Sequence, residues 1–235
     1  MVRGGDTGIS GMSIVSAFDH AAQGYDAAAD IQRIVTEELI ARAAHLQPRS
    51  ILDIGCGTGL LTALARKHWP DGAITAVDAA PAMLATARAK LPGVRFIEAD
   101  AARLPFSEKF DLVLSSMVLH WLPAEALTHW QSLVAPGGAL RIAFPVEGSL
   151  GEWRALCQSQ GLEDRLWKFP QAVPNAEIRR HTLVYPSARE FLLAMKHTGA
   201  ASADPARPAL TPRQMRALLR AAPKPFAATF LIAYL

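Results

Sequence analysis

Short apolar runs alternate with helix-like stretches along most of this chain. Runs suited to strands cover Ile51–Gly55, Ala73–Asp78, Val94–Ala99, Phe110–Ser115, Ala139–Phe144, Thr182–Tyr185 and Ala228–Tyr234. Between the early ones, Leu60–His68, Ala80–Lys90 and Glu125–Leu133 carry helical patterning. A near-continuous apolar run suits a strand buried on both faces. Strand, helix and strand repeated at this spacing predict right-handed crossovers and a parallel sheet with helices on both faces, an α/β fold. Pro70-Asp71-Gly72, Leu91-Pro92-Gly93 and Pro136-Gly137-Gly138 supply the turns.

Two regions stand outside the alternation. Ala27 to Ala44 places Ile31, Ile34, Val35, Leu39 and Ile40 at helical spacing, and Glu147 to Arg180 carries Trp153, Trp167, Phe169, Pro170 and Pro174. An insert after a strand's C-terminal end lies on the ligand side of an open α/β sheet. Both regions read as parts of a lid, or as elements simply packed on the sheet. The expected organisation is one domain over 1–235: a flexible tail over 1–16, a lid helix over 17–45 and a lid insert over 146–180.

The chain's 235 residues, 51% hydrophobic and 19% charged, suffice for one full core. No apolar run approaches the ~20 residues of a membrane span. The first residues are rich in Gly and Ser without an apolar signal core, and Met12 is a second possible start. Cys56 and Cys157 sit in no ligand-like cluster and read as reduced thiols of a cytoplasmic protein, with no metal. A net charge of +3 with a pI near 9.1 is too mild for a nucleic-acid surface but compatible with an acidic protein partner.

Candidate chemistry concentrates in S-I-L-D-I-G-C-G-T-G-L, from Ser50 to Leu60. Asp53, Gly55, Cys56, Gly57 and Gly59 form a strand–glycine turn–helix cradle, in which backbone N–H groups and a helix N-terminus face a ligand. The third glycine comes too early for a dinucleotide fingerprint. Asp53 would repel a pyrophosphate but engage a cationic amino group, so the motif fits S-adenosylmethionine. Asp78, followed by Ala79, is placed to accept ribose hydroxyls or to cap the next helix. Asp100 and Ala101 are candidates for the adenine edge, and Met83 and Leu104 for its faces or for plain core. Ser115, Ser116, His120 and Trp121, at and beyond the end of the fourth strand, are pocket candidates, although a lone histidine such as His120 is more often a hydrogen-bonded structural residue than a base. No catalytic triad, paired-carboxylate site or metal cluster is apparent, and the sequence singles out no catalytic residue.

From the glycine motif to Pro136-Gly137-Gly138 the chain resembles class I S-adenosylmethionine-dependent methyltransferases. The resemblance narrows to the malonyl-[acyl-carrier protein] O-methyltransferases of biotin synthesis. It is carried by Ala17 to Arg33, E-G-S-L-G-E-W (Glu147 to Trp153), M-K-H-T-G-A (Met195 to Ala200), L-T-P-R-Q-M (Leu210 to Met215) and the terminal strand. It implies a Rossmann-like sheet of seven strands, the last antiparallel, and a monomer acting on malonyl-acyl carrier protein or malonyl-CoA. Tyr25 and Gln32 would belong to a lid over the cofactor. One departure stands out: Thr128 occupies the place where a related enzyme has an arginine for the malonyl carboxylate. His129, Arg154, Arg165 and Lys168 are the possible substitutes, and Arg179, Arg180, Arg213, Arg216 and Arg220 a surface for the acidic carrier or plain solvated surface. Other small acceptors (phenol, quinol or carboxylic acid), a non-methylating assembly factor and a nicotinamide-dependent oxidoreductase are the competing readings.

Overall fold

The computed structural model describes residues 11–199 and 210–235. Its centre is one seven-stranded sheet in the order β3-β2-β1-β4-β5-β7-β6. The strands are β1 (Ser50–Ile54), β2 (Ala73–Asp78), β3 (Arg95–Glu98), β4 (Phe110–Ser116), β5 (Val134–Pro145), β6 (Glu177–Tyr185) and β7 (Phe226–Tyr234). β1 to β5 pair in parallel, and β7 runs antiparallel to both β5 and β6. Successive side chains of a strand face opposite layers. Accordingly Ile51, Leu112 and Leu114 pack with Val35, Leu39, Trp153 and Phe191, while Leu52, Val113 and Phe144 pack with Trp130 on the other side.

Helices α1 (Gly11–Ala21), α2 (Tyr25–Ala28) and α3 (Asp30–Ala43) precede the sheet. α4 (Leu60–His68), α5 (Pro81–Lys90) and α6 (Glu125–Ser132) make the early crossovers, and α7 (Gly151–Ser159), α8 (Ala188–His197) and α9 (Pro212–Ala221) follow. No helix among the described residues is long and apolar enough to cross a membrane.

The alternation predicted all seven strands, with differences at their ends. β5 begins at Val134, running through Pro136-Gly137-Gly138 as an irregularity in its pairing with β4. Gly138 is required there, because a Cβ would stand 2.7 Å from the Asp111 carbonyl oxygen. β6 begins at Glu177, so the last four residues of the expected lid insert belong to the sheet edge. Their side chains are mostly exposed, which hides the strand behind charge. The segment over 11–16, expected as tail, is helical; residues 1–10 and Ala200 lie outside the described residues. The expected helix over Ala27–Ala44 is broken at Ala29, the joint between α2 and α3.

After β1, β2 and β3 step outward on one side, the chain returns to place β4 on the other side of β1. The crevice at the C-terminal ends of β1 and β4 is thus the topological switch point, where ligands bind in sheets of this kind.

Candidate functional site

The glycine turn leaves β1 at this switch point. Gly55 and Cys56 donate their N–H groups to the Val77 carbonyl at 2.8 and 2.9 Å, tying the turn to the end of β2. Gly55, Gly57 and Gly59 have φ of 71°, 54° and 89°, the left-handed region that favours glycine. Their surroundings differ. A Cβ on Gly55 would stand 2.3 Å from Val118 Cγ2, and one on Gly59 2.9 Å from Leu91 Cδ1, whereas nothing lies within 4 Å of one on Gly57. Packing accounts for the outer two glycines; the middle one faces open space.

Three carboxylates surround this turn. Asp53, fully buried, accepts at Oδ2 from Thr62 Oγ1 (2.5 Å), while its Oδ1 has no partner. Desolvation, opposed by the Thr62 bond and reinforced by the charge of Asp78, pushes its carboxyl up to about 7. Asp78 accepts at Oδ2 from Gly57 N–H (2.8 Å) and at Oδ1 from Ala80 N–H (2.9 Å). It therefore braces the loop and caps α5 at once. Desolvation holds its carboxyl above the ordinary range against the pull of those donors.

The third carboxylate, Asp26, was not anticipated from the sequence. It accepts from Thr58 Oγ1 (2.5 Å) in the glycine turn and pairs with Lys90 at the end of α5, while Arg33 holds its carbonyl oxygen at 2.6 and 2.7 Å. Partial desolvation raises its carboxyl, but the bonds from Lys90 and Thr58 outweigh this and hold it below the ordinary range. The latch keeps α2 on the turn, which puts Tyr25 beside Asp78 and Gln32. Burial, then the charges of Asp78 and Asp26, push the Tyr25 phenol up.

Just past the C-terminal end of β4 lies a small, partly open cavity with an interior of about 30 Å³. Its walls include Gln32 from α3, Met117 after β4, His120 and Trp121 from the following turn, Trp167 and Phe169 from the insert, and Tyr185 and Phe230 from β6 and β7. The rings of Trp121 and Trp167 are 5.2 Å apart, and His120 lies 4.5 Å from Trp121 and 5.7 Å from Phe169. Trp167 Nε1 donates to the His120 carbonyl at 2.9 Å, so the insert is fastened over the pocket. Burial drives the His120 imidazole down to about 3, leaving it neutral. Gln32 Oε1, Asp53 Oδ1, Ser116 Oγ and His120 Nδ1 are all buried without partners. An unpartnered buried polar atom costs about 1–3 kcal/mol, so this set beside the turn marks a place for a polar ligand.

Other candidates from the sequence have local partners. Ser115 Oγ donates to the Ile54 carbonyl inside the sheet (2.8 Å). Asp100, exposed, accepts from Ala102 N–H (2.8 Å), and the Ala101 carbonyl accepts from Trp130 Nε1 (2.8 Å). Met83 is buried with Ala22 and Ala80 beneath the N-terminal segment, and Leu104 lies in the core. Cys56 is a buried free thiol whose pKa burial raises. Thr128 is exposed on α6, two residues from Ala126 and from Trp130, which face the core. That spacing points it away from the interior, and it does not line the cavity.

None of the possible substitutes lines the cavity either. His129 Nε2 accepts from Leu104 N–H (3.2 Å), and Arg154 binds Asp164 (2.8 Å) and the Trp167 carbonyl (3.1 Å). Arg165 is half-buried in the insert and Lys168 exposed. Among the described residues no His, Cys, Asp and Glu cluster is arranged to hold a metal ion.

Residues 51–138 match a family described as a methyltransferase domain. Over 214 residues the chain is 33% identical to a malonyl-[acyl-carrier protein] O-methyltransferase of Halorhodospira halophila, covering 82% of this chain and 72% of that one. It is 41% identical over 110 residues to a trans-aconitate 2-methyltransferase of Escherichia coli O1:K1 / APEC, covering 46% and 44% of the two chains. Among solved structures, the DhpI–SAH complex superposes with a TM-score of 0.51 at 23% identity, covering 58% of this chain and 69% of that one.

Proposed function

Because the chain belongs to the S-adenosylmethionine-dependent methyltransferases, we propose that it methylates the free carboxylate of a malonyl thioester on acyl carrier protein or coenzyme A, an early step of biotin synthesis. When bound, S-adenosylmethionine supplies an electrophilic methyl group on a sulfonium cation. Asp53 Oδ1, buried and unpartnered, suits its amino group. Asp78 has lone pairs left for the ribose, Asp100 and Ala101 stand for the adenine edge, and Tyr25 and Gln32 cover the site.

What supports a malonyl acceptor is the 33% identity, over 82% of this chain, to a malonyl-[acyl-carrier protein] O-methyltransferase. The cavity bears on the number of charges, since among the described residues neither Lys nor Arg lines it. A desolvated carboxylate without a cation is costly. A malonyl thioester brings a single carboxylate, whose countercharge is the sulfonium it attacks. Trans-aconitate, a tricarboxylate, would bury further charges without partners. The attacking carboxylate is ionised near neutral pH and needs no general base. The neutral His120 positions the acceptor by hydrogen bonding, and Trp121, Trp167 and Phe169 exclude water around it. The acidic carrier protein would meet the exposed arginines of α9: Arg213, Arg216 and Arg220. Arg179 is engaged with Glu177 and Glu38.

Steady-state assays should favour a malonyl thioester over trans-aconitate by roughly 100-fold in kcat/KM, the equivalent of one poorly compensated buried charge. Equal or better turnover of trans-aconitate would overturn the malonyl assignment. Separately, Asp78→Ala should weaken S-adenosylhomocysteine binding in calorimetry by about 1–3 kcal/mol. Unchanged affinity would leave Asp78 as a brace and cap alone.

A further inference from the structure

A second hollow, of about 480 Å³, lies between α1 and the end of α8, lined by Ala17, His20, Ala21, Gly24, Leu193, Lys196, His197 and Gly199. All three of its ionisable side chains are basic. His20, Lys196 and His197 are exposed, and among the described residues no carboxylate lines the cleft. Asp19, beside His20 in the chain, is turned to α5, where it accepts from Ala82 N–H at 2.7 Å. Lys196 presents an ammonium with three donors. His20 Nδ1 lies 2.7 Å from the Ser16 carbonyl, which leaves Nε2 for a ligand. Such a set matches a phosphate, whose oxygens accept several charge-assisted hydrogen bonds.

The position of the cleft gives that phosphate a context. Ala194, Met195 and Thr198 line the aromatic cavity, whereas Leu193, Lys196 and His197 line the cleft. The two hollows thus lie on opposite faces of the last turns of α8, separated by a helix diameter of roughly 10–12 Å, and an arm joining them follows the longer path around that helix. A phosphopantetheine arm is longer than that diameter when extended, with its acyl thioester at one end and its phosphate at the other.

We propose that the His20–Lys196–His197 cleft binds the phosphate of the phosphopantetheine arm while the acyl end is directed to the mouth of the aromatic cavity. The ligand class rests on the malonyl-thioester reading; the basic cleft does not. The test is binding to the full-length protein, with the His20 and His197 imidazole resonances followed by proton NMR as 4′-phosphopantetheine or pantetheine is added. Phosphopantetheine should bind roughly tenfold more tightly. The preference should vanish in the double variant Lys196→Gln, His197→Gln, whose unchanged S-adenosylhomocysteine affinity shows that it is folded. Equal binding of both compounds by the parent protein, or a preference retained by the variant, would overturn the site.

Coenzyme A and holo-acyl carrier protein should be weakened alike by the substitutions, since both present the arm. Weakening confined to coenzyme A would assign the cleft to its nucleotide and overturn the arm reading. Because these experiments read binding and not methyl transfer, they can succeed even where a malonyl ester is never formed.

Discussion

Replacing Asp53 with asparagine is expected to stabilise the ligand-free protein above pH 7 and to remove most of its affinity for S-adenosylmethionine. The Asp53 carboxyl has no solvent exposure, and one of its oxygens has no partner. Desolvation lifts it from 3.8 to about 7 in the folded state, against the Thr62 bond and with help from Asp78. A folded-state pKa above the unfolded one means that the folded chain holds more protons between the two values. The contribution of Asp53 to stability is therefore fullest below about pH 4 and is lost as pH rises to about 7. With three pKa units between the states, the loss is at most on the order of 4 kcal/mol. Asparagine does not ionise and escapes that loss, but it offers no charge to the amino group of the cofactor. A hydrogen bond to a charged group contributes about 1.5–3 kcal/mol, so affinity should fall roughly 10- to 150-fold. Thermal unfolding at about pH 5 and pH 8, with and without S-adenosylhomocysteine, reads both effects. A stability advantage of the variant over the parent that does not grow between those two pH values, or a variant that binds like the parent, contradicts this account of Asp53.

Gly57→Val is expected to separate binding from folding in the other direction. The left-handed φ of 54° costs an ordinary side chain about 1–2 kcal/mol and a β-branched one more, but nothing lies within 4 Å of its Cβ. The fold should survive while the added methyls occupy the space a ligand needs, lowering cofactor affinity by roughly 100-fold, or about 2.7 kcal/mol. Gly55→Ala, by contrast, drives a Cβ to 2.3 Å from Val118 and should first lower the unfolding temperature. Calorimetric titration and thermal unfolding of the two variants side by side give the comparison. A Gly57→Val protein that binds S-adenosylhomocysteine like the parent would remove the cradle from this position.

The strand and glycine turn that carry these two positions were legible because their signals are local. A strand buried on both faces, an aspartate and alternating glycines lie within eleven residues, Ser50 to Leu60. The helices α8 and α9 were also encoded locally yet went unanticipated. Ser187-Ala188-Arg189-Glu190 and Thr211-Pro212-Arg213-Gln214 have the spacing of capping boxes, and the second forms a complete one. The phase of α6, which turns Thr128 outward from Ala126 and Trp130, is likewise readable from helical periodicity.

What was not legible depends on distant chain segments meeting. Asp26, Thr58 and Lys90 form the latch from three separate elements, and spacing says nothing about such a contact. Tyr185 and Phe230 reach the cavity because β7 inserts antiparallel between β5 and β6. That no Lys or Arg among the described residues lines the cavity could be read only once its walls were assembled.

The most direct measurement is the mass of the acceptor after reaction. Malonyl- and acetyl-acyl carrier protein would be incubated together with the enzyme and S-adenosylmethionine and analysed by mass spectrometry. The account predicts the gain of one methyl group, as a base-labile ester, on the malonyl form alone. An unmethylated malonyl form, under conditions in which the enzyme methylates another acceptor, would contradict it.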